Sequence, residues 1–256
     1  MTVHSSANVL RIGTAGWNVP AMLRGPIPET GSHLERYATQ MNCVEINTSF
    51  YRPHQKKTYE RWARSTPETF RFAVKLPQSI SHADALKFER NVLERFVGEV
   101  DGLGQKFGAL LVQLPPQLKF GERRAAHFFD RLRHHVKQPI VCEPRHASWF
   151  TTDADRWLRK CQIARVAADP PYAAANAGEP AGWRGMSYFR LHGSPRIYYS
   201  SYDANALAAL AAMIESLAHE APLWCIFDNT ATGAALGNAL TLYEDIRARR
   251  CFLDET

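Results

Sequence analysis

The side chains with the most chemistry in this chain end short apolar runs. Glu143-Pro144-Arg145-His146 follows Ile140-Val141-Cys142 and packs an acid, a fixed cation and an imidazole together. Pro144 lacks a backbone donor and turns the chain there. Glu143 can then face a ligand while Arg145 grips an anion through its planar fork; the alternative is an internal Glu143–Arg145 pair that closes the loop. Glu45 and Asn47 alternate with Val44 and Ile46, so both face one side of a strand. A buried carboxylate needs a partner, and Lys75, ending Phe72-Ala73-Val74, is the expected counter-ion of Glu45. Such a pair serves structure as readily as function. A Schiff-base role for Lys75 would need a depressed pKa, and nothing in its neighbouring sequence supplies one. Arg190 and His192 share a face across Leu191, and Gly193 leaves room for close approach to a ligand.

These residues sort by role. Glu143, His192 and Glu45 are the candidate catalytic acid/base groups. Asn47, Lys75, Gln113, Arg145, His146, Trp149, Arg190, Asp228 and Asn229 are the candidate substrate contacts. Trp17, Phe50, Trp149 and Tyr172 add aromatic surface on which a sugar or base could stack. No metal is expected, but were one present its ligands would be Glu143, Asp169, His192 and Asp228, a set suited to Mn2+, Mg2+ or Zn2+. That order is similar to the quartet of xylose-isomerase-like barrels, found in sugar isomerases and some apurinic-site endonucleases. The competing reading is that Arg145 and Arg190 neutralise these carboxylates. Glu45 and Glu143 would also suit a glycosidase pair if their separation allowed. The chain lacks a G-x-S-x-G elbow, a P-loop and a dinucleotide fingerprint, so no nucleotide cofactor is expected.

Positioning these groups requires strands that end together. Apolar runs predict strands over Leu10–Thr14, Cys43–Asn47, Arg71–Lys75, Gly108–Gln113, Ile140–Glu143, Ala164–Ala168, Ser187–His192 and Leu223–Asp228. Helical patterns fall between most of them: 33–39, 57–65, 88–103, 122–134, 153–160 capped by Asp153, a stretch capped by Asp203, and 230–248. Alternation of this kind calls for parallel strands and right-handed crossovers. Eight of them predict an α/β fold of the (β/α)8 TIM-barrel type, whose C-terminal strand ends form the active-site mouth. The barrel is irregular: residues 170–185 are rich in Pro and Gly, so a long loop replaces the sixth helix. A lid over the mouth and a plain surface connection are both open readings of it.

The chain has 256 residues, 45% of them hydrophobic, in keeping with one barrel domain over 1–256 with residues 1–8 as a flexible tail. The formal charge of +6 and pI of about 9.1 permit nucleic acid or small anions as partners. Five cysteines without C-x-x-C spacing argue against a disulfide scaffold and for a reducing compartment. With no signal-peptide or membrane-length apolar segment, a soluble cytoplasmic protein is expected.

Seven segments, in order, resemble the domain-of-unknown-function 72 (YecE-like) family: Arg11-Ile12-Gly13-Thr14-Ala15-Gly16-Trp17, 44–52, 70–75, Val112-Gln113-Leu114-Pro115-Pro116, 143–149, 189–193 and Asp228-Asn229-Thr230. The resemblance runs from Arg11 to Ile246. It implies a (β/α)8-type barrel and no settled reaction. The chain departs from the family pattern after Trp17, where aromatic residues are sparse, and at Asp228, where an Asn is expected. The resulting expectation is an acid/base enzyme for a small anionic or sugar-like substrate. The alternatives are a metal-dependent phosphodiesterase or nucleic-acid-binding protein of the endonuclease-IV kind, and a non-catalytic ligand sensor.

Overall fold

A computed structural model of the protein describes residues 9–23 and 27–254. The expected tail, residues 1–8, lies outside them. Strands β1 (Leu10–Thr14), β2 (Cys43–Ile46), β3 (Arg71–Lys75), β4 (Phe107–Gln113) and β5 (Ile140–Glu143) fall where their apolar runs predict. The sixth run is split around Val166 into β6 (Ile163–Arg165) and β7 (Ala167–Asp169). A short β8 (Ala181–Gly182), then β9 (Ser187–Leu191) and β10 (Leu223–Phe227), complete the strands.

The ladders form two sheets, in the orders β1-β10-β9-β7 and β2-β3-β4-β5-β6-β8, and no single closed ring is hydrogen-bonded. Every pairing is parallel except that of β8 with β6. The sheets meet at two places. A parallel bridge joins Ala15, just past β1, to Glu45 in β2. The chain itself passes from one sheet to the other through Val166, whose N–H donates to the Cys142 carbonyl. Close approach of β1 to β2 depends on Gly13, where a Cβ would lie 2.2 Å from the Cys43 carbonyl oxygen.

Side-chain alternation divides the strands into two faces. One face, with Val44, Ile46, Phe72, Val74, Leu110, Val112 and Phe189, packs in the main apolar core with helix residues such as Leu93, Phe96, Phe128 and Leu132. The other carries Cys43, Ala73, Ala109, Leu111, Val141, Ala164, Tyr188 and Ile226. These come from both sheets and form one cluster, so the two sheets face each other across it. Along this inner face the next residue toward each C-terminal end is polar: Glu45 follows Cys43, Lys75 follows Ala73, Gln113 follows Leu111, Glu143 follows Val141, Arg190 follows Tyr188 and Asp228 follows Ile226. A period of two therefore carries the inner wall directly into a charged cluster.

Helices α1 (His33–Tyr37), α2 (Lys56–Arg64), α3 (Gln78–Ser81), α4 (Arg90–Val100), α5 (Glu122–His135), α6 (Thr152–Lys160), α7 (Ala204–Leu217) and α8 (Ala234–Asp254) occupy the connections. Asp203 caps α7 as expected, accepting from the Ala206 N–H at 2.8 Å. The cap of α6 is Thr151, not Asp153, which lies two residues later within the first turn and pairs with Arg156 instead. No helix among the described residues is long and apolar enough to cross a membrane. The loop after β7 has no α-helix, as its Pro and Gly content predicts. It is tied down by the β8–β6 pairing and by the Gly182 N–H, which donates to Asp155 Oδ1 at 2.7 Å.

Candidate functional site

Arg190 is the centre of the cluster. It is fully buried, as is Glu45, and Glu143 is 1% exposed. Its Nε and Nη2 donate to the two carboxylate oxygens of Glu45 at 3.0 and 2.8 Å. Nη1 donates to Glu143 Oε2, and Nη2 also donates to Asp228 Oδ2 at 2.9 Å. One guanidinium thus links β2, β5 and the end of β10. The planar fork pairs bidentately with Glu45 and still has donors for the other two carboxylates. The Tyr188 hydroxyl completes the shell of Glu45 at 3.0 Å. Lys75, the expected counter-ion of Glu45, is therefore displaced from that role by Arg190.

Lys75 instead lies with its Nζ 4.1 Å from the centre of the Phe50 ring. It forms no ion pair within 4 Å among the described residues, while Glu45, Glu143 and Asp228 are all held by Arg190. Burial, helped by the Arg190 charge, pulls the Lys75 amine down to about 8. Nothing in the neighbouring sequence does this; burial in the folded interior and the sequence-distant Arg190 do.

His192 follows on the Arg190 face. Its Nδ1 lies 3.1 Å from Asp228 Oδ2, and its Nε2 lies 3.3 Å from Glu143 Oε1. The Nε2 contact falls outside hydrogen-bonding geometry, so this buried nitrogen meets Glu143 as a charge partner without a hydrogen bond. Burial lowers the imidazole pKa, but Glu143 and Asp228 outweigh it and raise it above the ordinary value. Burial likewise raises Glu143, yet Arg190, His192 and Arg145 hold it well below the usual carboxylate range. Asp228 is lowered in the same way, Arg190 and His192 overcoming burial.

Arg145 takes the internal position rather than an open one. Its Nη2 donates to Glu143 Oε1 at 3.0 Å and to Gln113 Oε1 at 3.2 Å, and its guanidinium lies over the Tyr172 ring at 4.6 Å. Tyr172 and Tyr198 flank the His192 ring at 5.6 and 5.7 Å. Sequence reasoning singled out Tyr172 but missed Tyr188 and Tyr198. Tyr188 carried a signal, since it shares the alternation of Arg190 and His192. Tyr198 carried none, because its approach depends on the loop after Gly193.

Several expected contacts lie elsewhere. His146 Nδ1 accepts from the Ser148 N–H and caps a turn. Trp149 is 1% exposed and its indole donates to the Leu118 carbonyl, so it is packing. The Asn229 amide donates to the Ser200 carbonyl and to Asn238 Oδ1, fixing the α8 approach. Gly193, with φ of +92°, admits the Ser200 backbone, whose oxygen would lie 2.7 Å from a Cβ there. Trp17 and Asn47 belong to a neighbouring cleft.

The metal quartet does not converge. The Asp169 carboxylate accepts from the Tyr202 hydroxyl at 2.6 Å, and a guanidinium lies between Glu143 and Asp228. Among the described residues no group of three or more His, Cys, Asp or Glu side chains is arranged to hold a metal ion. The residues present do not fit a divalent cation, because Arg190 already supplies the positive charge.

Comparison with known proteins places the chain among uncharacterised relatives. It is 31% identical over 176 residues to the UPF0759 protein YecE of Escherichia coli K12, covering 65% of this chain and 62% of that protein. It is 26% identical over 151 residues to the UPF0759 protein YunF of Bacillus subtilis 168, covering 56% and 53%. The matches thus span between half and two thirds of these relatives' length. A DUF72 family protein of Enterococcus faecalis V583 has a similar fold, with a TM-score of 0.80 at 22% identity over 93% of this chain and 96% of that one. Another from Thermotoga maritima MSB8 gives 0.76 at 23% identity over 93% and 99%. The family described as "Protein of unknown function DUF72" matches residues 11–255, and the chain belongs to it.

Proposed function

We propose that the protein is an enzyme that binds a small anionic or sugar-like substrate at the mouth of a (β/α)8-type barrel and moves a proton through His192. The barrel reading is supported by the eight parallel strand positions, by the Ala15–Glu45 bridge and by the single inner cluster drawn from both sheets. In such a fold the C-terminal strand ends are where chemistry sits. The four described cysteines are free, in keeping with a cytoplasmic setting.

The observation that carries the proposal is the buried Nε2 of His192, which makes no hydrogen bond, with Glu143 Oε1 3.3 Å away, while Nδ1 is held by Asp228. A carboxylate on one ring nitrogen orients the imidazole and leaves the other to exchange a proton with substrate. Glu143 is less suited to that task, because Arg190, His192 and Arg145 hold it well below the usual carboxylate range, and both Glu45 oxygens are taken up by Arg190. Their role is to fix Arg190 and, for Glu143, to raise His192. The charge balance selects the ligand. Glu45, Glu143 and Asp228 offset Lys75, Arg145 and Arg190, so a protonated His192 leaves one net positive charge. Lys75 then attracts an anion.

The test begins with a panel of sugar phosphates and small carboxylates screened for an increase in Tm. At least one should stabilise the protein, and Lys75→Met should remove most of that shift. His192→Gln should keep the binding and lower turnover of that compound by about 10²–10⁴-fold. A panel without any stabilising anion, or His192→Gln at full rate, would overturn the proposal.

A further inference from the structure

Beside the charged cluster, between the connections that follow β1 and β2, lies a cleft of about 470 Å³. That is within the range of small-molecule sites. Its walls include Trp17 from the first connection, Tyr51, Arg52 and His54 from the second, and Trp62 from α2; Asn47 lies at the end of β2. We propose that this cleft binds a mononucleotide, a flat heteroaromatic ring carrying one phosphate.

Three observations carry this. The first is aromatic surface. Trp17 and Trp62 meet edge to face at 4.9 Å, and His54 meets Trp62 at 5.0 Å. Tyr51 stands 68% exposed at the rim, although an aromatic ring of that size is usually covered. Base stacking on such rings needs no sequence fingerprint. The second is an unmet hydrogen bond. Asn47 lines the cleft and its buried Oδ1 has no hydrogen-bond partner, so a turn of this amide would offer the acceptor to a ring amino or N–H group. The third is the charge of the wall. Arg52 and the imidazoles of His33 and His54 line the cleft, and no carboxylate does among its described residues. Sugars present many hydroxyl donors and call for carboxylate acceptors, which this wall lacks; an anion on an aromatic ring fits it. His54 is kept largely neutral by burial and by Arg52, and its Nε2 lies 2.8 Å from Thr48 Oγ1, so Arg52 is the phosphate's main partner. With a single phosphate to hold, a glycine-rich turn is not required.

The assay is calorimetric titration of the full chain with AMP, GMP, CMP and UMP, their nucleosides, and inorganic phosphate. At least one mononucleotide should bind saturably, more tightly than its nucleoside and far more tightly than phosphate. Tyr51→Ala should weaken it by about 5- to 100-fold through lost stacking. Arg52→Ala should reduce it to the affinity of the nucleoside. Both residues are exposed, so neither variant should disturb folding; Trp62→Phe gives a milder check on the wall. Glu143→Gln should leave binding unchanged, which separates this site from the charged cluster. No saturable binding by any of the four, unchanged affinity in Tyr51→Ala and Arg52→Ala, or loss of binding in a Glu143→Gln variant that keeps the parent's far-UV circular dichroism would each overturn the proposal.

Discussion

The charged cluster and the aromatic cleft are neighbours that share one strand end. Glu45 belongs to the first and Asn47, two residues on, to the second. In the cluster nearly every polar atom is used by another: three carboxylates hold one guanidinium, and Arg145 is fixed by Glu143 and Gln113. In the cleft the polar atoms are fewer and one buried acceptor is unmet. The difference follows from burial. Ionised groups taken out of water must pair or lose their charge, so the cluster's chemistry is confined to what pairing leaves over: the Nε2 of His192 and the amine of Lys75. The cleft is more open, and Tyr51 and Arg52 at its rim stay exposed without such pairing.

The strongest way to break that contrast is to remove the central cation. Arg190→Met would leave Glu45 without an ion-pair partner within 4 Å among the described residues, and Glu143 and Asp228 with only Arg145 and His192. Breaking a buried ion network from one side costs about 3–5 kcal/mol, to be read as a lower urea midpoint at unchanged slope. The loss should shrink as pH falls, because the depressed Glu143 and Asp228 would no longer gain from Arg190 once protonated. Stability within 1 kcal/mol of the parent, roughly the scale of an exposed pair, would mean that the network does not brace the two sheets.

Lys75 gives a second effect of opposite sign. Its amine is pulled from 10.5 to about 8 in the folded protein, so folding penalises the charged form. Below pH 8 the full penalty applies, on the order of 3 kcal/mol. Between about 8 and 10.5 the unfolded chain binds the extra proton, and stability rises with pH. Lys75→Met should therefore stabilise the protein most below pH 8, with the gain fading toward 10.5. For the same reason, anion binding at the mouth should weaken as pH rises through 8. A gain that does not vary with pH would place the amine in water and remove it from the site.

How far the sequence reveals this arrangement depends on the range of the interactions. The strand ends were legible because alternation is local: Glu45, Lys75, Gln113, Glu143, Arg190 and Asp228 all continue an inward face that the apolar pattern marks. Who pairs with whom was not. Adjacent strand order suggested Lys75 for Glu45, yet Arg190, 145 residues away, is the partner. That choice is made across the interior, where a bidentate fork outcompetes a single ammonium. His146 and Trp149 misled for the converse reason. They follow the polar Glu143 closely, but Pro144 turns the chain, and the next residues serve a turn and the core. The cleft was half visible, as Trp17 and Asn47 without the Trp62 and His54 that close it.

The smallest effect is the most discriminating. Tyr51 is largely exposed, and its ring touches Phe50 edge to face at 5.0 Å. Arg52 is exposed and forms no ion pair within 4 Å among the described residues. Surface substitutions of this kind change stability by no more than about 0.5 kcal/mol. Tyr51→Ala combined with Arg52→Ala should therefore unfold at a urea midpoint close to the parent's, in contrast to Arg190→Met. If the double variant instead lost several kcal/mol, the rim would be part of the packing, and cluster and cleft would no longer differ in kind.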